Sequence, residues 1–100
     1  MSYRNPGYKR KDKNWMADYL KIIESDLSEV DRVAKAFLLV TDAHIRESEK
    51  EIELARAMGD QENLIKEQIK ANVIEFVQDI FNDAYWRVTG RKVEDVREQS

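Results

Sequence analysis

Few side chains in this sequence could do chemistry, and their spacing limits what each can do. His44 is the only histidine and the chain has no cysteine. That excludes a multi-histidine metal site, a zinc ribbon, a thiol nucleophile and a disulfide within one chain. His44 lies between Val40, Thr41 and Ser48 on an apolar helical stripe. A lone histidine there reads as a hydrogen-bonded core or interface group, with Thr41 and Ser48 as its local partners. Glu47 with Glu51 and Glu75 with Asp79 are i, i+4 carboxylate pairs on the two long helical stretches. Paired carboxylates on neighbouring helices can hold magnesium, which polarises a nucleotide's diphosphate. The chemistry they suggest is that of a small all-α magnesium-dependent nucleotide pyrophosphohydrolase.

The rest of the pattern does not extend that reading. Glu75 and Asp79 point away from the apolar stripe of their helix, and the Glu-x-x-His element of di-metal bundles is missing, since Thr41 stands three residues before His44. The run Glu47 to Glu53 reads as a solvated helix face, partly compensated by Arg46 and Lys50. A glycine-rich phosphate loop, a Ser/His/Asp arrangement and a helix-turn-helix with a basic recognition helix are all absent from the sequence. The expectation is therefore a chain that is not an enzyme and has no catalytic residue, metal or cofactor.

Charge carries more functional content. Lys and Arg number 17 against 20 Asp and Glu, a net charge of −3. Residues 1–13 hold Arg4, Lys9, Arg10, Lys11 and Lys13 against Asp12 alone, so this arm is +4 and residues 14–100 are −7. With Tyr3, Tyr8 and Trp15 interleaved, the arm could neutralise nucleic-acid phosphates while its aromatics stack on bases. It could instead lie across an acidic protein surface, or act as a solubilising tail. A −7 body repels phosphate, so docking on a protein through Tyr3, Arg4, Tyr8, Lys9, Arg10, Lys11 and Lys13 is the expected role. A nucleic-acid-binding accessory protein is the alternative.

The elements that position these residues follow from four punctuation marks: Pro6, Gly7, Gly59 and Gly90 are the only proline and glycines. Between them the spacing predicts helices, with apolar residues three and four apart and no alternating strand pattern. A short helix is expected over about 14–24 and a longer one over about 27–58, with a capping box at Asp26 and Glu29. Gly59 then ends that helix, Asp60 caps the next over about 61–89, and Gly90 ends it in turn. Residues 92–97 are left as one or two frayed turns. The longest apolar run, Ala36 to Val40, falls far short of the roughly 18 residues of a membrane span. No signal peptide is read in the basic N-terminus, and the expected setting is the cytoplasm or an intracellularly assembled particle.

On the longer helix Ala34, Thr41, Ser48 and Ala55 recur every seven residues beside Leu38, Ile45 and Ile52. Small residues there let another helix approach closely. The antiparallel partner offers Ile65, Ile69, Val73, Phe76, Val77, Ile80, Ala84 and Val88, and this stripe is expected to pack on the small seam. The fold class expected is an all-α helical hairpin of one domain, residues 14–100, preceded by the arm. Two long helices and a short one enclose little core, so a homodimer or higher oligomer is expected to complete a bundle. Trp15, Tyr19, Ile22, Ile23 and Trp86 are its candidate interface. The function expected is that of a structural or adaptor subunit or a small regulator, acting by binding.

Overall fold

The computed structural model describes residues 14–97, and the arm residues Tyr3, Arg4, Tyr8, Lys9, Arg10, Lys11 and Lys13 lie outside them. The fold is all-α. Four helices follow in order, α1 Asn14–Ile23, α2 Glu29–Met58, α3 Gln61–Thr89 and α4 Val93–Arg97. Among the described residues there is no strand. The long dimension of 45 Å is the length of α2 itself, 30 residues at about 1.5 Å each.

The helix ends are set by local chemistry. Ser28 caps α2 by accepting the Asp31 amide, so the cap falls two residues later than the Asp26 expected for it. Gly59, at φ 68°, ends α2 in a left-handed turn in which its own N–H bonds Arg56 and the Asp60 N–H bonds Ala55. Asp60 accepts the Asn63 amide at 3.1 Å and opens α3. Gly90, at φ 72°, closes α3 by donating to Trp86 at 2.7 Å.

The two long helices form the expected antiparallel hairpin, and α2 presents the seam read from its sequence. Ala34, Leu38, Ser48 and Ala55 are buried, with Thr41, Ile45 and Ile52 half-buried among them. The face that α3 turns inward is the correction. It is not the stripe from Ile65 to Val88 but the set Leu64, Glu67, Ala71, Ile74, Gln78, Phe81 and Tyr85, all buried or half-buried. The reason lies in period. That set alternates steps of three and four, as does the α2 seam, and two seven-residue repeats stay in register along the whole hairpin. The stripe advances mainly in fours, which carries it around the helix by about 40° at each step. A row that drifts in this way cannot line a straight seam.

The core is concentrated at the end of the hairpin away from Gly59. There Ala34, Leu38, Tyr85, Val93 and Val96 form one buried cluster, with Phe37 and Phe81 packed against it. The Phe37 and Phe81 rings stack at 4.5 Å. Residues 93–97 are thus more than frayed turns. Helix α4 folds over this end and drives Val96 fully out of water, touching both α2 and α3. Helix α1 packs on α2 and does not approach α3. Ala36 and Ala43, also buried, lie roughly half a turn round α2 from Ala34, on the side left for α1.

Replacing Val96 by Ala should lower the unfolding free energy by about 2 kcal/mol, since a fully buried side chain loses methyl groups in a packed site. Urea denaturation followed by circular dichroism measures it, with Val88→Ala, at a site 78% exposed, leaving the folding of the single chain unchanged.

Candidate functional site

Turning the heptad face of α3 inward leaves its most apolar face outside. Ile65, Ile69, Val73, Phe76, Val77, Ile80 and Val88 are between 41% and 78% exposed, and Ala84 among them is exposed as well. At 100° per residue the middle of this stripe lies about 145° from the middle of the α2-facing seam, so α2 leaves it open. Exposed Lys66 and Lys70 border one flank, Asp79 and Asp83 the other. An apolar centre between charged margins is the anatomy of an interaction surface.

The seam beneath it is unusually polar toward the Gly59 end. Ser48 Oγ and Glu67 Oε1 are buried and find no hydrogen-bond partner among the described residues, although Lys70 Nζ lies 3.4 Å from that Glu67 oxygen. Midway along, Gln78 is buried and satisfied, donating to Thr41 Oγ1 at 2.6 Å and to Asp42 at 2.9 Å. Thr41 Oγ1 in turn donates a hydrogen bond to the Phe37 carbonyl at 2.7 Å. Asp42 also pairs with Arg97 of α4.

At the other end a charged clasp joins three elements. Asp31, buried at the start of α2, accepts the Tyr85 hydroxyl at 2.7 Å and both terminal nitrogens of Arg91 at 3.0 and 3.1 Å. The Arg91 guanidinium also sits 5.5 Å from the centre of the Tyr85 ring. Thr89 fixes the turn, donating to the Tyr85 carbonyl and accepting the Arg91 amide. The Arg91 bonds, reinforced by Tyr85, hold the Asp31 carboxyl below its ordinary range against the opposing effect of burial. Burial, with Asp31 beside it, pushes the Tyr85 hydroxyl up.

The residues singled out in the sequence distribute as follows. Trp15 and Tyr19 are half-buried, their rings edge to face at 5.9 Å, and Trp15 also meets the edge of His44 at 6.4 Å. Ile22 lines an open groove of about 360 Å³ between α1 and α2, with Asp18, Lys35 and Leu39. Ile23 and Trp86 are exposed. Trp86 is on α3, which α1 does not approach, so these five do not form one surface in the single chain. His44 is half-buried against Trp15, on the α1 side of α2. Glu47 and Glu51 are half-buried and Glu75 and Asp79 exposed, and among the described residues no three metal-ligating side chains come together. The Asp31 clasp escaped sequence reasoning because its partners lie 54 and 60 residues away. The residues of the open stripe are visible in the sequence, but its orientation follows from period and not from apolar content.

Tyr85→Phe should cost about 1.5–3 kcal/mol, the worth of a buried hydrogen bond to a charged acceptor, measured by urea unfolding. The folded-state pKa of Asp31 is depressed, so its contribution is fully present above the ordinary carboxylate range and lost as pH falls through the depressed value. The stability gap between the natural chain and Asp31→Asn should therefore be widest near neutral pH and close on acidification. Comparison with protein-family models, curated proteins and solved structures finds no match.

Proposed function

We propose that this chain is a non-enzymatic assembly protein, a structural or adaptor subunit or a small regulator, that self-associates through its helices and docks on a protein partner through the basic arm. The observation that carries the reading is the uncovered stripe on α3, where large apolar side chains stay in water after the chain has folded. Continuous apolar patches of this kind mark contact surfaces. The charge division between the +4 arm and the −7 remainder supports the second half of the proposal, since the arm is attracted to acidic helices such as those of another copy. The proposed setting is the cytoplasm or an intracellularly assembled particle. A chain without cysteine depends on no oxidising compartment.

Removing residues 1–13 should leave the helical circular dichroism spectrum intact while lowering the association seen by sedimentation velocity. The arm's share should also fade in the full chain as salt rises, because exposed charge attraction is screened. Equal association with and without the arm counts against the docking role. Magnesium-dependent release of pyrophosphate from nucleoside triphosphates, abolished by Glu47→Gln or Glu75→Gln, would replace the non-enzymatic reading.

A further inference from the structure

The stripe on α3 is built from two rows of i+4 steps, Ile65 to Val77 and Phe76 to Val88. Read in opposite directions the rows match. Val77 answers Phe76, Val73 answers Ile80, Ile69 answers Ala84 and Ile65 answers Val88, each pair equidistant from a point between Phe76 and Val77. A surface with that internal symmetry meets the requirement of a twofold interface, in which the same patch serves both partners. We propose that the stripe is occupied by the stripe of a second copy, the two α3 helices lying antiparallel and crossing at Phe76 and Val77. This rests on the self-association reading above and names its surface and geometry.

Area and packing agree. At the exposures found, the large side chains of the stripe present roughly 700 Å² of apolar surface per copy, close to the ~800 Å² that each partner gives to a standard interface. It also exceeds the ~300–600 Å² of the largest patch on a typical monomer. Rows of i+4 ridges on both helices mesh at a crossing angle of about 50°, so the drift that bars the stripe from the straight seam with α2 suits it to a crossed contact. The seam with α2 lies on the far side of α3, and a second copy can approach without displacing any helix. The pair would layer two hairpins across one another, each α3 between its own α2 and its partner's α3, with the contact closest around Phe76 and Val77.

The absence of cysteine makes single substitutions clean probes. In the full chain, Val73→Cys and Ile80→Cys proteins mixed under mild oxidation should form mainly the mixed 73–80 disulfide, with little linkage of either variant to itself. Phe76→Glu, at a site 64% exposed, should keep the helical spectrum and weaken dimerisation at least about tenfold by sedimentation equilibrium. Self-linked 73–73 or 80–80 dimers would mean a parallel pair and overturn the geometry while leaving self-association standing. A dimer whose mass is unmoved by Phe76→Glu would likewise overturn this surface alone. A chain that is monomeric at every concentration overturns both. Binding of a hydrophobic dye that rises only after residues 1–13 are removed would show that the arm covers the stripe, and would also overturn the proposal.

Discussion

Two helices of about thirty residues can lie along one another only where both repeat with the same period, and here that requirement outweighs apolar content. The α2 seam from Ala34 to Ala55 and the α3 face from Leu64 to Tyr85 share the seven-residue repeat and run together from Gly59 to the far end. Everything else in the structure adjusts to that pairing. Glu67 and Gln78 are carried inside with it, and the branched and aromatic residues of α3 are carried outside. The stripe is open for the same reason that the hairpin is straight.

Local chemistry was legible in the sequence and long-range geometry was not. Gly59, Asp60 and Gly90 declare helix ends through turn conformation and capping, which depend on a few adjacent residues. Tyr85 joins the buried cluster with Leu38, and Phe81 packs against it. The rotation of α3 about its own axis is hidden in the sequence because seven large side chains outweigh a repeat interrupted by Glu67 and Gln78. Val93 and Val96 belong to a helix of five residues, too short to show a period, so their burial had no local sign. The link from Asp31 to Tyr85 and Arg91 exists only once the chain has folded back on itself.

The same balance sorts buried polar groups from exposed apolar ones. Buried polar groups that find partners, Asp31 and Gln78, lie on the seam and fix how the helices sit. Much of the apolar surface that finds none lies on the opposite face of α3, where packing within the chain does not reach it. The carboxylate pairs and His44, the residues most open to a catalytic reading, are spread over α2 and α3 with no shared centre among the described residues.

The unequal ends of the hairpin have a dynamic consequence. The Asp31 end is held by a stacked aromatic pair, two buried valines and a bidentate ion pair, whereas the Gly59 end has Ala55, Ser48 and Ala71 in its seam and leaves Leu54 and Met58 exposed. Local opening is governed by how much buried contact must be broken. Amide hydrogen exchange should therefore be graded along the hairpin, slowest around Leu38 and Tyr85 and progressively faster toward Gly59, so that the hairpin opens from its turn before its Asp31 end.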